Sequence, residues 1–411
     1  MKAQGISTPL DQFEALVGGS TAVDRHQMFA WCRAESPIFY SEALGSWVLS
    51  RWDDVRGVLE DEVRFASLVD EPGASLQRTF LQMTGREHNK KAGTVARVIR
   101  SPRAFTEGLD DAVREISRRT AEQLVMGEPI DFKADYAMWV PLLVITELTR
   151  VDEAAKFRDW YQLIASGGVA SVARPDARAA GLKAVSELRE FLEPIIGERR
   201  RHPATDLVST LATSTYDDRP LSEEEIVSTL AFLLTAGVET TERALASLFR
   251  HLLLNRNDWE ELVARREDRN FLTSVSAESL RFFPPVQLLT RRTTEPVSFH
   301  DVEIPLGDRV VVILASANRD DERFDDPQRF VMTRFLDRPE RQFTTNGEIM
   351  PFGAGTHHCT GARLAATEMV HAITEFTARV DWMEQTGDPP VGEGFMLHSP
   401  PAVPMILHPR L

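Results

Sequence analysis

Apolar residues recur three and four positions apart along most of this chain, the spacing of helices with one buried face. Helical stretches of this kind are predicted at 24–35, 53–60, 87–99, 109–126, 137–148, 154–164, 176–201, 222–251, 258–266 and 271–282. The period then changes. Residues 293–299, 302–304 and 309–314 alternate as strands, with Pro305-Leu306-Gly307-Asp308 as a turn, and 46–51 is a short strand. Residues 69–79 and 318–361 read as loops. Helix resumes at 362–379, and the Pro-rich C-terminus is irregular or strand-like. The pattern predicts a mainly α protein with a minor β portion.

Composition narrows the class. The chain has 411 residues, 43% hydrophobic and 27% charged, enough for a large core. No Pro/Ser/Gly-rich linker divides it, so a single domain over 1–411 is expected. A formal net charge of -15 argues against a nucleic-acid partner, because phosphate neutralisation needs a basic surface. Residues 1–25 lack a basic segment followed by an apolar one, so no signal peptide is expected. The longest apolar run, 138–145, contains Pro141 and falls short of the roughly 20 residues of a membrane helix. Two cysteines leave no disulfide framework. A soluble cytoplasmic protein without a membrane anchor is the expectation.

The most informative segment is Phe352-Gly353-Ala354-Gly355-Thr356-His357-His358-Cys359-Thr360-Gly361. A single cysteine sits in a glycine-punctuated loop directly before a helical pattern. Glycines permit close backbone approach to a flat ligand. A helix start just past the sulfur offers free N–H groups that favour thiolate. Other uses of such residues are a small buried hydrophobe, a phosphate loop or part of a zinc site. Zinc is disfavoured because Cys32 is distant and no spaced pair exists. A thiolate facing an apolar plane suits haem iron.

The spacing Phe-x-x-Gly-x-x-x-Cys-x-Gly resembles the haem-binding loop of the cytochrome P450 family, and three further motifs follow suit. Ala236-Gly237-Val238-Glu239-Thr240-Thr241 is similar to the family's Ala-Gly-x-Asp/Glu-Thr-Thr, in the long helix over the distal haem face. The Thr240 hydroxyl could bond the Ala236 carbonyl and open a local bulge. Glu278 and Arg281, before Pro284-Pro285, resemble the family's structural Glu-x-x-Arg pair. Arg334 and the Asn318-Arg319-Asp320 stretch are both candidates for its third partner. Arg291 and His357 match the family's propionate donors. Only one of Arg291 and Arg292 should point inward on a strand. His88 resembles the family's early-helix His-x-x-x-Arg, but Ala92 stands where the Arg belongs, with Lys91 or Arg97 as substitute charges.

The resemblance implies the cytochrome P450 fold, haem b ligated by Cys359, and Thr240 with Glu239 as an acid–alcohol proton relay. It implies cofactor contacts from His357, Arg291, His88, Phe352, Gly353, Gly361, Ala236 and Gly237. Pocket positions carried over from the family are Phe80, Leu81, Phe232, Val286, Leu289, Met396 and Leu397. The implied enzyme is an oxidoreductase, a monooxygenase placing one oxygen atom of O2 into a largely apolar small molecule by hydroxylation or epoxidation. Electrons would come from NAD(P)H through a separate ferredoxin reductase and ferredoxin, since no flavin fingerprint or Cys cluster is present. Arg86, Lys90, Lys91, Arg97, Arg100 and Arg103, with Glu87 the only acid among them, form an expected docking face. The alternatives are a peroxide-using peroxygenase and a haem-binding protein without turnover.

Overall fold

The computed structural model describes residues 8–20, 23–67, 79–101, 108–168 and 174–410. The loop expected over 69–79 lies outside the described residues except for Thr79, as does Arg103.

The helices are α1 (Pro9–Val17), α2 (Arg25–Glu35), α3 (Trp52–Glu60), α4 (Gly85–Ile99), α5 (Asp110–Glu122), α6 (Trp139–Thr149) and α7 (Ala154–Gly168). After them come α8 (Pro175–Arg201), α9 (Leu207–Ala212), α10 (Glu223–Leu254), α11 (Arg256–Ala264), α12 (Arg269–Phe282), α13 (Leu314–Ala317) and α14 (Ala362–Thr377). The strands are β1 (Ile38–Ser41), β2 (Ser46–Leu49), β3 (Phe65–Ser67), β4 (Pro129–Asp131), β5 (Thr215–Tyr216), β6 (Arg219–Pro220), β7 (Leu288–Thr293), β8 (Val297–Phe299), β9 (Val302–Ile304), β10 (Arg309–Ile313), β11 (Val380–Gln385) and β12 (Pro404–Pro409).

One sheet has the order β1-β2-β10-β7-β3, antiparallel except for the β10–β2 pair, and a second has β11-β12-β4. The strand expected over 293–299 is realised as β8 over its last three residues, while β7 lies before it and meets the expected span only at Thr293. β7 ends at Thr293, and β8 pairs separately with β9. Pro296 explains the break, because it has no N–H to donate to a ladder. Helix α1 and strands β1, β3 and β4 were not foreseen. They are three to nine residues long and rest on tertiary partners more than on their own pattern.

Helix α10 is the spine. Ser222 caps it: its hydroxyl accepts from the Glu225 N–H at 3.1 Å, and the Glu225 carboxylate accepts from the Ser222 N–H at 2.7 Å. Glu223, Glu224 and Glu225 complement the positive end of the dipole. The N-terminal half, through Val238, packs into one apolar cluster with α5–α9. The C-terminal half, from Ala244, packs into another with α12, α14 and the sheets. The five residues between, 239–243, carry Glu239, Thr240, Glu242 and Arg243. The polar chemistry thus falls where the two cores part.

Helix α12 stops at Phe282 because Phe283 precedes Pro284. It carries Glu278 and Arg281, both with fully buried side chains. The Glu278 carboxylate receives Arg281 Nε at 2.7 Å and Nη2 at 2.8 Å, Arg334 Nε at 3.1 Å, and the Val331 N–H at 2.8 Å. Arg281 donates onward to the carbonyls of Asn318, Pro327 and Arg329. Of the two candidate third partners, Arg334 reaches the carboxylate. Arg319 turns instead to Gln328 and the Phe282 carbonyl.

Removing one member would strand a charge in the interior, at about 3–5 kcal/mol. Glu278→Ala and Arg281→Ala should each lower stability by that order in denaturant titrations. The double replacement should cost less than the sum, because only Arg334, which keeps its bonds to backbone carbonyls, is then left without a charged partner.

Candidate active site

Cys359 is set by its loop. Its N–H donates to the Phe352 carbonyl at 2.9 Å, closing the turn. Gly353 and Gly355 take φ of +68° and +67°, which side-chain-bearing residues avoid. A Cβ on Gly355 would stand 2.6 Å from the Leu59 carbonyl oxygen, so this glycine also lets the loop lie against α3. Helix α14 begins at Ala362, and the N–H groups of Gly361 and Ala362 point at the sulfur. Burial pushes the thiol up, against those two hydrogen bonds and the charge of Arg100. Cys359 nevertheless keeps accessible surface.

Three basic side chains gather near this loop. The His88 and His357 rings lie 4.1 Å apart, centroid to centroid. Burial, His88 and Arg291 push the His357 imidazole down to about 4. Among the described residues neither of its ring nitrogens has a partner, although both are buried. Arg291 is buried on β7, while Arg292 faces solvent. Among the described residues no carboxylate pairs with Arg291, His88 or His357. A buried cation such as Arg291, which bonds only the Thr290 carbonyl among the described residues, and a buried imidazole without partners are both costly unless an anion completes them. Two carboxylates on the edge of a flat cofactor would do so, and the soft sulfur suits iron. The residues therefore fit a haem with propionates.

The substitute charges expected for the missing Arg at Ala92 are elsewhere. Lys91 donates to Glu87 at 2.8 Å and Glu225 at 3.0 Å. Arg97 is exposed, and among the described residues its guanidinium reaches only Thr94. His88, Ala92, Val95 and Ile99 form the buried face of α4, and the helical turn carries Lys91 and Arg97 off it.

On α10 the Thr240 hydroxyl donates to the Ala236 carbonyl at 2.8 Å. The expected bulge is absent: α10 runs unbroken past this point. A carbonyl has two lone pairs, so the hydroxyl adds to the helical bonding without displacing it. A Cβ at Gly237 would meet Ile145 of α6 at 3.5 Å, so this position is directed at a neighbouring helix. Glu239 pairs with Arg243 at 2.7 Å.

Of the apolar positions, Phe80 and Phe232 meet edge to face at 5.2 Å. Val286 bridges to Leu397, and the Gln287 N–H donates to the Met396 carbonyl at 2.8 Å, so the C-terminal turn lies on the strand that leads to Arg291. Leu289 stands where a Cβ on Gly353 would meet it at 3.5 Å, beside the cysteine loop. Leu81 is 46% exposed and separates from this set. Phe352 packs on Phe343 and His358.

Glu368 was not foreseen. It lies on the buried face of α14, nine residues past Cys359, and accepts the Thr241 hydroxyl at 3.1 Å. That bond ties the helix bearing Thr240 to the helix that starts at the cysteine. Burial pushes its carboxyl up to about 8, against the Thr241 bond. Its signal in the sequence was a carboxylate in line with Leu364 and Ala372 on an apolar stripe.

A family model of cytochrome P450 matches residues 159–405 of this chain. Cytochrome P450 107B1 of Saccharopolyspora erythraea is 31% identical, over 90% of each chain. The mycinamicin IV hydroxylase/epoxidase of Micromonospora griseorubida is also 31% identical, over 88% of this chain and 89% of its own. Among solved structures, CYP109E1 of Bacillus megaterium in complex with testosterone superposes with a TM-score of 0.80. It is 25% identical, covering 93% of this chain and 99% of its own.

Glu368 yields a pH test. Its folded value lies above the ordinary 4.5, so the folded state binds the extra proton. Its stabilising effect is complete below the unfolded value and is lost as pH rises towards 8. Glu368→Gln should remove this loss. Between pH 5 and 8.5 the stability of the variant should rise relative to the parent by a few kcal/mol, read from denaturant midpoints at each pH. A constant difference across that range would show that the carboxyl is not protonated in the folded protein.

Proposed function

This chain belongs to the cytochrome P450 family, a haem-thiolate monooxygenase that draws on O2 and redox partners, and we propose that it oxidises a largely apolar organic substrate. The oxidation is a hydroxylation or an epoxidation, in keeping with the printed activities of the mycinamicin relative. The observation that carries the site assignment is the Cys359 sulfur under two backbone N–H groups, beside a buried basic cluster with no acid among the described residues. When bound, haem b supplies the activation of O2, taking up two electrons and two protons and transferring one oxygen atom to substrate.

The protein groups then have separate tasks. Cys359 presents a thiolate whose charge the Gly361 and Ala362 N–H groups temper. His357, Arg291 and His88 would hold the propionates, and Phe352, Gly353, Gly361 and Ala236 would border the cofactor. Thr240 holds a proton on its hydroxyl oxygen, and Glu239 restores it from the solvent side. Phe80, Phe232, Val286, Leu289, Met396 and Leu397 position the substrate and exclude water. Glu278 and Arg281 are structural. Retention of the acid–alcohol pair favours reductant-driven over peroxide-driven turnover.

The electron donors we propose are a separate ferredoxin and its NAD(P)H-dependent reductase, in the cytoplasm. No helix among the described residues is long and apolar enough to cross a membrane. Arg100 acts electrostatically on the Cys359 thiol, so the end of α4 lies on the sulfur's side. Lys90, Arg97 and Arg100 are exposed there. Arg86 shares its charge with Asp217 at 3.0 Å, and Lys91 is taken up internally.

Two measurements test this reading. Reduced protein treated with carbon monoxide should show the red-shifted Soret band of thiolate ligation, and Cys359→His should abolish it. With Thr240→Ala, haem should still bind, while product formed per NAD(P)H falls and peroxide rises. Unchanged coupling would make Thr240 structural. For docking, electron-transfer rates should fall as salt screens charges beyond about 8 Å at physiological strength. Lys90→Glu with Arg97→Glu should raise the apparent KM for ferredoxin and leave substrate binding alone. Insensitivity to both salt and charge would place the docking site elsewhere.

A further inference from the structure

Arg243 stands one helical turn after Glu239, and its guanidinium is held at both ends. Nη2 and Nε fork onto one oxygen, Glu239 Oε1, at 2.7 and 3.2 Å. Nη1 donates to Ser399 Oγ at 3.2 Å. Ser399 is fully buried and is itself fixed. Its hydroxyl donates to the Pro400 carbonyl at 3.1 Å and accepts from Lys133 Nζ at 3.3 Å. Lys133 donates also to the Pro400 carbonyl at 3.0 Å and stands 3.8 Å from Glu242. The Tyr161 hydroxyl of α7 donates to the other Glu242 oxygen. Burial pushes Glu242 and Tyr161 up and Lys133 down, so every member relies on its neighbours.

An ordinary glutamate–arginine pair at i, i+4 contributes only a few tenths of a kcal/mol, and its far end swings free. This one is held at its far end as well. Ser399 holds the guanidinium from behind, so Glu239 has to leave Arg243 rather than drag it along. The alcohol is engaged as well, its hydrogen directed at the Ala236 carbonyl. Among the described residues no hydrogen bond joins Glu239 to Thr240. Both halves of the relay are thus held apart.

We propose that Arg243 is a positioning residue for proton delivery: anchored by Ser399, it parks the Glu239 carboxylate, which must leave the guanidinium fork before a proton passes from it to Thr240. The proton enters on a Glu239 oxygen from solvent and moves to the Thr240 oxygen, while the Thr240 proton moves on. No net charge is created in the helix. The proposal rests on the reading of Glu239 and Thr240 as the relay. The groups that face Glu239 electrostatically are Arg243, Glu242, Tyr161 and Lys133, from α10, α7 and the short helical segment Lys133–Ala137.

The test uses the holoenzyme carrying Glu239→Gln, Arg243→Gln, Arg243→Lys or Ser399→Ala, each first checked for an unchanged Soret spectrum. The diagnostic readout is the solvent deuterium isotope effect on turnover, with product formed per NAD(P)H beside it. Breaking the fork should cease to limit proton delivery in Arg243→Gln, so the isotope effect should fall towards unity. Ser399→Ala should lower it partway, because the guanidinium can then follow the carboxylate. Arg243→Lys, which keeps the charge and loses the fork, should also fall between. Independently of turnover, midpoint losses on thermal unfolding for Glu239→Gln and Arg243→Gln should add to more than the loss of the double variant. If Glu239→Gln leaves coupling and isotope effect unchanged, Glu239 is no relay and the underlying reading fails. If Glu239→Gln alters them while Arg243→Gln and Arg243→Lys both match the parent, the relay stands and the positioning role of Arg243 is overturned.

Discussion

Glu278 holds a carboxylate away from all solvent, and four N–H groups converge on it from Arg281, Arg334 and Val331. Charge buried in this way is tolerated only when its hydrogen bonds are complete. Completing them draws residues 318–334 onto α12, because Arg281 donates to three carbonyls of that stretch. Asn318, fixed by Arg281, accepts the Met350 N–H at 2.7 Å. Two residues later Phe352 accepts the Cys359 N–H. A long segment with little regular structure is thereby as determined as a helix, and the position of the sulfur follows from an ion pair in another element.

The cysteine loop joins two environments of opposite character. On one side, α14 directs its first N–H groups at the sulfur and stabilises negative charge there. On the other, His357, His88 and Arg291 come from a loop, a helix and a strand, and desolvation weighs on His357 and Arg291. Anionic groups on a bound cofactor would relieve that cost. A site of this kind binds its prosthetic group partly because the protein alone leaves donors unsatisfied.

The distal helix solves a different problem. It must bury two apolar faces along its length and still carry ionisable groups at its middle. It does so by placing Glu239, Thr240, Glu242 and Arg243 where one core ends and the next begins. Partners from α7, the short helical segment Lys133–Ala137 and the C-terminal segment then satisfy them. Thr241, one residue on, instead faces α14 and bonds Glu368.

The helical periodicity, the cysteine loop, the Glu-x-x-Arg pair and the Ala-Gly-x-Glu-Thr-Thr segment were legible without coordinates. Each is a local pattern in which residue type and spacing carry the physics. The sequence therefore determined a mainly α haem-thiolate protein and placed Cys359, Glu278, Arg281 and Thr240 in it. Only the tertiary structure decided matters that depend on which chain segments meet. It selected Arg334 over Arg319 as the third partner and Arg291 over Arg292 as the inward arginine. It turned Lys91 and Arg97 away from the basic cluster, paired β8 with β9 instead of extending β7, and anchored Arg243 on Ser399, 156 residues away. Long-range contacts leave no periodic trace in a sequence, because each is set by how whole elements pack.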